Sequence, residues 1–385
     1  MKRIACTPRA DWKATAEHYG FRFHTFGDEP YWDESACYQF TLRQIEDDLE
    51  EPTRQLHELC MDLVARAVDS EELLDRLAMP RDYRDLIRRS WRDGHPHFYG
   101  RMDLSYDGHG PAKLLEANYD TPTSLYEAGF FQYLWLEQQM QRGVLPADAD
   151  QFNSLEEKLG QVFGANTFAT PFYFASVRDS LEDRGTVQYL CDIATAAGLD
   201  TRLIDVEDIG LNPAGRFIDR SGAPIPSLFK LYPWEDMFHD RYGPAIAGSG
   251  TLFVEPPWKA LLSNKGMLAL LWEQHEGHPN LLPAFIDATP ERPLAPGWVR
   301  KPFFSREGAN VEIHTPDGQR VKEEGPYGSG PHVIQQFHAL PRFAGSHTVI
   351  GSWVVGDQPA GIGIREDNSL ITKDSSRFVP HAIIG

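Results

Sequence analysis

Apolar positions along the chain follow two rhythms that change near residue 98. From Arg54 to Val68, the residues Leu56, Leu59, Cys60, Leu63, Val64 and Ala67 recur at three- and four-residue spacings with charged residues between them. That is the stripe of a helix buried along one face. Pro80 stops a second helical stretch, and a third runs toward Trp91 until Gly94 and Pro96 break it. Residues 1–95 are expected to form a mostly helical N-terminal region.

Between Phe98 and Asp120 the pattern becomes two short strands joined by the turn-rich DGHGP at 107–111, a hairpin. Ser124 stands where it can cap the next helix, for which Phe130, Phe131, Leu134 and Trp135 supply an apolar stripe. PFYFASV (171–177) reads as a buried strand, VQYLCDIATAAG (187–198) as a helix ending at Gly198, and TRLIDVEDI (201–209) as the next strand. Strand, helix, strand in that order implies a parallel βαβ unit. From Pro224 onward short strands such as GWVRKPFF (297–304), HVIQQFHA (332–339), HTVIGSWVV (347–355) and AGIGIRE (360–366) alternate with Pro- and Gly-containing turns, and GIGIREDNSLIT (361–372) reads as strand, tight turn, strand. The class is mixed α/β, in three segments: 1–95, 96–230 and 231–385. No internal repeat or low-complexity run interrupts them.

Composition narrows the function. The 385 residues are 41% hydrophobic and 24% charged, near the averages of folded domains. A formal net charge of -19 argues against a nucleic-acid or anionic-membrane partner, which needs a positive field to release counterions. Cys6, Cys37, Cys60 and Cys191 are scattered, with no CxxC pair and no zinc spacing. The first residues hold no apolar run of signal-peptide length and no segment approaches a membrane span, so cytoplasm is the expected compartment.

The hairpin carries the first candidate chemistry. Alternate residues of a strand share a face, so Arg101 and Asp103 on one strand and Glu116 and Asn118 on the other can converge on one spot. Asp, Glu and Asn oxygens are hard donors suited to magnesium, and the arginine offers a charged fork to a phosphoryl group. The same alternation also describes an ordinary surface hairpin whose polar face meets water. Lys301 ends an apolar strand and precedes FFSREGAN, a loop carrying Gly308, and Lys265 lies where a helix begins; both can reach nucleotide phosphates, although for each lysine alone a solvated surface role is the more common explanation. Gly361 and Gly363 admit either a ligand or close strand packing, and Arg365 closes their strand.

Taken in order, the blocks FYGRMDLSYDG (98–108), KLLEANYDTPTSL (113–125), EPPWKALLSNKGMLALLW (255–272), VRKPFFSREGANV (299–311), VIQQFHALP (333–341) and GIGIREDNSLI (361–371) resemble the synthetase part of the glutathionylspermidine synthase family, ATP-grasp ligases that join an acid to an amine. The resemblance implies an ATP-grasp fold with a preATP-grasp-like βαβ unit, and ATP and Mg2+ as cofactors. Asp103, Glu116 and Asn118 would hold the metal. Arg101 and Arg365 would stabilise the transferred phosphoryl group. ATP would contact Arg101, Met102 and Asp103, Lys265, Lys301, the segment Gln335, Gln336, Phe337 and His338, and the segment Leu370, Ile371 and Thr372. Thr121 and Thr123 align near the acid substrate. Glu182 and Asp183 fall where the family places acidic residues near its amine, although SLEDRGT (180–186) diverges there and the pair also suits a solvated helix start.

The family's bifunctional members add an amidase domain with a catalytic cysteine; these 385 residues leave no room for one, and product hydrolysis is expected to be absent. The implied reaction passes through an acyl phosphate, with a small-molecule or peptide acid and an amine as partners; glutathione and spermidine are the analogy. A kinase that stops at a phosphorylated product and a non-catalytic ATP- or peptide-binding protein of the same fold are the rival expectations.

Overall fold

The computed structural model describes residues 1–385. A short helix, Trp12–His18, comes first, and the helix expected at 54–68 is longer than its apolar pattern predicts. Thr41 and Gln44 form a reciprocal capping box at Leu42–Ile45, a π-turn follows at Glu46–Glu50, and Glu51–Ala67 continues with Pro52 in its first turn. The acidic run EDDLEE has no stripe of its own, so only the part burying Leu56, Cys60, Leu63, Val64 and Ala67 announces itself in sequence. Helices Glu71–Arg76 and Arg84–Arg92 complete the helical part.

Residues 1–40 depart from the expected helical region. Strand Lys2–Ala5 pairs antiparallel with Ala36–Phe40, which pairs parallel with His381–Ile383. One small sheet thus joins both ends of the chain. Cys6 and Cys37, read as unrelated thiols, come to lie with Sγ atoms 3.4 Å apart beside it.

The expected hairpin forms from Tyr99–Ser105 and Lys113–Asn118. It supplies two strands of a six-stranded antiparallel sheet whose order continues through Ser346–Val355, Gln358–Asp367 and Arg377–Phe378, with Arg342–Phe343 paired on Ser346–Val355. Hydrogen bonding therefore runs from residues near 100 to residues beyond 340. The βαβ unit is present: Phe172–Ser176, helix Leu181–Ala196 and Thr201–Asp205, extended by parallel strands Ser227–Leu231 and Leu252–Val254. A third, antiparallel sheet orders Ala284–Asp287, His332–Gln336, Trp298–Pro302, Glu312–His314 and Arg320–Lys322. No helix is long and apolar enough to cross a membrane.

Three local expectations change. The second strand expected within 368–372 is displaced to Arg377–Phe378; residues 368–372 bend across a cleft, with the Asp367 carboxylate accepting from the Ser369 amide at 2.7 Å. Ser124 is not a helix cap: its φ is 68° and its hydroxyl lies against Tyr31 and Arg365. Gly361 and Gly363 serve packing, since a Cβ would meet the Phe152 carbonyl at 3.0 Å in the first and the Phe378 ring at 2.8 Å in the second.

Two buried ion pairs hold the sheets in register around this cleft. Lys230, in the parallel sheet, reaches Asp120 just past the hairpin, and Asp120 also accepts from the Trp234 amide at 2.8 Å. Glu255 pairs with Lys259 while accepting from the amides of Phe98 and Tyr99 at the start of the hairpin. Each pair is almost wholly enclosed.

Candidate active site

The hairpin and the third sheet face each other across a cleft with two connected chambers. On the hairpin, Asp103 lies opposite Glu116 and Arg101 opposite Asn118, and all four side chains face the cleft. A bulge between Asp103 and Leu104 admits Leu115 as an extra residue and shifts the register where the carboxylates meet. Met102, between Arg101 and Asp103, points the other way and is fully buried in the core. Its side chain is therefore withdrawn from the nucleotide contact expected of it.

Charges in the first chamber are closely matched. Arg101 grips Asp103 through two bonds of 2.7 and 3.1 Å and donates to the Thr123 carbonyl at 2.8 Å. The Lys265 ammonium is 3.4 Å from Glu116 and donates to the Ser305 carbonyl. Burial alone would raise the Glu116 carboxyl, but Lys265, Lys301 and Arg101 together hold it below its ordinary value. Asn118 turns its side-chain oxygen to the amides of Asp120 and Thr121 and the hydroxyl of Ser263.

The second chamber has a cavity volume of about 110 Å3 and opens to solvent. Lys301, Gln335, Gln336, Phe337, His338, Leu370, Ile371 and Thr372 all line it, although they come from three separate stretches of sequence. Val299, Val311, Ile313 and Ile371 form a small apolar cluster of their own along its wall, with Phe337 and Leu370 packed against it. Lys301 donates to the Leu115 carbonyl at 2.8 Å and to the Gln335 side chain at 2.9 Å. Burial pulls its ammonium down to about 8. Asp103, Glu116, Gly308 and Thr372 line both chambers and so mark their junction.

Thr121, Thr123, Glu182 and Arg365 also line the first chamber. Arg365 donates to the carbonyls of Lys373, Asp374 and Ser376 and to the Ser124 hydroxyl, pinning the closing loop. Glu182 stands in the first turn of its helix, yet on the cleft wall and not in solvent; burial raises its carboxyl. Asp183 is half-buried beside it, its amide capped by Ser180, and lines neither chamber.

Sequence reasoning passed over Arg306. It lies in the loop after Lys301, 2.5 Å from both the Thr121 hydroxyl and Glu235, and its only signal is its place in FFSREGAN. It also missed Gly351, where a Cβ would stand 2.8 Å from Arg101 Cδ, so that glycine gives the arginine its path across the sheet.

The family model described as glutathionylspermidine synthase preATP-grasp matches residues 3–384. The chain belongs to the glutathionylspermidine synthase family. Within it, a "Putative acid--amine ligase" of Haemophilus influenzae is 38% identical over 399 residues, covering 100% of both chains. Trypanothione synthetase of Crithidia fasciculata is 29% identical over 350 residues, 84% of this chain and 53% of that one. Among solved structures, a glutathione synthetase-like effector from Globodera pallida superposes with a TM-score of 0.56 at 12% identity, covering 97% of this chain and 96% of that one. That likeness concerns the fold alone, a glutathione synthetase-like arrangement of mixed α/β sheets. By family and relatives this glutathionylspermidine synthase-like protein is a ligase of the acid–amine class.

Whether the donor set suits a metal can be judged from its chemistry. No cluster of three or more His, Cys, Asp or Glu side chains has metal-holding geometry, so an ion here would rest on two carboxylates, an amide oxygen and phosphate oxygens. Asp103 and Glu116 fit that description, being hard, cleft-facing and already held opposite cations. For Asn118 the role competes with the three donors its oxygen already accepts.

Proposed function

We propose that the protein is an ATP-grasp ligase that couples ATP cleavage to amide formation between a small carboxylic acid or peptide and an amine, through an acyl phosphate. The observation that carries this reading is the junction: the paired carboxylates Asp103 and Glu116 stand where an apolar slot meets a chamber rich in arginine and lysine. An adenine base suits the slot lined by Val299, Ile313, Phe337, Leu370 and Ile371, where the Gln335–His338 segment offers the edge that orients it. Phosphates would then run past Lys301 toward Lys265 and Arg101.

At the junction a substrate carboxylate attacks the terminal phosphoryl group, giving the acyl phosphate and ADP, and the amine then displaces phosphate. Arg101, Lys265 and Arg306 supply positive charge where the phosphoryl oxygens pass, and Thr121 and Thr123 offer hydroxyls to the acid. Arg365 holds the 373–376 loop closed over them. Phosphoryl transfer asks for positioning and charge neutralisation, so no protein nucleophile is needed. Asp103 and Glu116 would hold magnesium, joined by Asn118 where its oxygen gives up its bonds to Asp120, Thr121 and Ser263; the ion when bound neutralises phosphate charge. Glu182 faces the end where the amine enters. The named relatives, an acid–amine ligase and a trypanothione synthetase, support the class; glutathione and a polyamine are the first substrates to try.

The test is ADP release from magnesium-ATP across a matrix of carboxylate peptides and amines, with products read by mass. An amide accompanying ADP establishes the ligase. Hydroxylamine in place of the amine should yield a hydroxamate, which a kinase making a phosphate ester cannot give. Asp103→Ala should abolish ADP release at ordinary magnesium levels; a variant turning over ATP like wild type refutes the assignment of the junction.

A further inference from the structure

The proposed reaction lacks one part: an amine arrives as an ammonium ion and must lose a proton before it can attack. Behind the cleft wall the structure holds a directional chain of hydroxyls that ends in a sealed carboxyl. Ser124, at φ 68°, sets its hydroxyl on the cleft beside Thr123, whose carbonyl holds Arg101. Its Oγ lies 3.0 Å from the Tyr31 hydroxyl, which donates to Glu127 Oε1. Tyr31 and Glu127 are fully buried, and Glu127 Oε2 has no hydrogen-bond partner. Glu127 opens a π-turn, Glu127–Phe131, a helical irregularity common at functional sites.

The donor inventory fixes the direction of this chain. Arg365 Nη1 donates to Ser124 Oγ at 3.1 Å and can only donate. Ser124 therefore has one lone pair left for an incoming N–H and one proton to pass to Tyr31. Tyr31 in turn has one proton to pass to the carboxylate. We propose that Glu127 is the terminal proton acceptor for the attacking amine, reached through the hydroxyls of Ser124 and Tyr31. This rests on the ligase reading and supplies the group that reading lacks.

The step balances. The ammonium gives one proton to Ser124 Oγ as Ser124 passes its own to Tyr31 and Tyr31 passes its own to Glu127. The nitrogen keeps the bonding pair as its lone pair, and Glu127 becomes a neutral acid. The neutral amine then forms the C–N bond, the C–O bond to phosphate breaks, and the second nitrogen proton leaves with the phosphate. Glu127 returns its proton along the same path to the vacated cleft. The groups facing Glu127 are Tyr31, Tyr126, Glu182 and Arg365. Burial, with the charge of Glu182, pushes its carboxyl up to about 8 against the opposing pull of Tyr31 and Arg365, a value suited to a base working near neutral pH.

The experiment uses the whole protein with magnesium-ATP, glutathione and glutamate as acids, and two kinds of amine from pH 6.5 to 9.5. Spermidine, putrescine and ethanolamine are cationic at neutral pH; hydroxylamine is already neutral there. Wild type should form amide at a rate that rises with pH through about 8, and hydroxamate at a rate that does not. Glu127→Gln, and separately Tyr31→Phe, should each lower amide formation about 100-fold or more at pH 7.5 and remove the inflection near 8, leaving a rise that continues toward the amine's own titration, while hydroxamate stays within about threefold of wild type. Equal loss of both products, an inflection near 8 kept in the variants, or one lost in Glu182→Gln and not in Glu127→Gln overturns the proposal. A wild-type protein that gives neither product overturns the ligase reading, and the inference with it.

Discussion

Asp120→Asn tests how the cleft is held in place. Asp120 and Lys230 are buried at 0% and 2% side-chain exposure, and the aspartate also anchors the Trp234 amide. Asparagine keeps an acceptor for that amide but leaves the Lys230 ammonium without a counter-charge. Breaking one side of a buried pair costs ~3–5 kcal/mol. An independent bound agrees, because the lysine can escape by losing its proton, which from an ordinary value near 10.4 costs ~4.6 kcal/mol at pH 7. With an unfolding entropy of about 2.1 cal/mol/K per residue, 385 residues convert this loss to a fall in Tm of ~4–6 °C. The same bound sets the pH dependence. Burial already pulls Lys230 below its ordinary value, and the variant would pull it further, so between the folded and ordinary values the unfolded chain binds more protons than the folded one. Stability of the variant then rises with pH in that window, and its deficit shrinks to ~2 kcal/mol by pH 9. Urea denaturation at pH 7 and 9 measures both quantities. Asp120→Asn/Lys230→Met should recover most of the loss and its pH dependence. A double variant no more stable than the single one, with deficits equal at both pH values, refutes the reasoning.

Nucleotide binding should be pH-sensitive through Lys301, whose ammonium is drawn down to about 8. If phosphates bind the charged form, ADP affinity by calorimetry should weaken ~10-fold from pH 7 to pH 9, and Lys301→Met should be weak and flat over the same range. Gly308→Ala places a Cβ 2.3 Å from Ile371 at a φ of 72°; it should weaken ADP binding about tenfold, and unaltered affinity would separate this loop from the nucleotide. Gly351→Ala pushes on Arg101 at 2.8 Å; kcat should fall about 10-fold to 100-fold with ADP affinity unchanged, because the arginine is displaced while the slot is not.

The parts of the cleft legible in sequence are those where local periodicity and function coincide. Arg101, Asp103, Glu116 and Asn118 alternate along strands, so one hairpin brings them to one face. The bulge at Leu115 was not legible, since a single extra residue leaves the polar alternation intact. Residues 1–40 were misread because their strand Lys2–Ala5 is largely exposed and its neighbour pairs with the chain's last residues, a contact no local pattern encodes. Ser124 reads as a helix cap by type and position; only the tertiary neighbours Tyr31 and Arg365 turn its hydroxyl elsewhere. Glu127 stands beside the apolar stripe of its helix and looks like a solvated first-turn acid, yet it is sealed by residues from 31 and 365. Arg306 lacks periodicity altogether because it belongs to a loop.

The sign of the whole chain is a poor guide to what its cleft binds. A net charge of -19 would repel a polyphosphate at long range, but at physiological salt such a field decays over ~8 Å. What a ligand meets inside is set by the residues lining the chamber: Arg101, Lys265, Arg306, Arg365 and Lys373 against Asp103, Glu116, Glu182, Glu307 and Asp374. The counts are equal, so the chamber is neutral within an acidic protein. Arg101 and Lys265 face Asp103 and Glu116 at the junction with the apolar slot, while Arg306, Arg365 and Lys373 share the rest of the chamber with Glu182, Glu307 and Asp374; burial raises the carboxyls of Glu182 and Glu307. A carboxyl with a raised value is one that gains by meeting a cation. A chamber balanced in this way can accept an anion and an ammonium together without a large net charge at any stage, the electrostatic condition that joining an acid to an amine imposes.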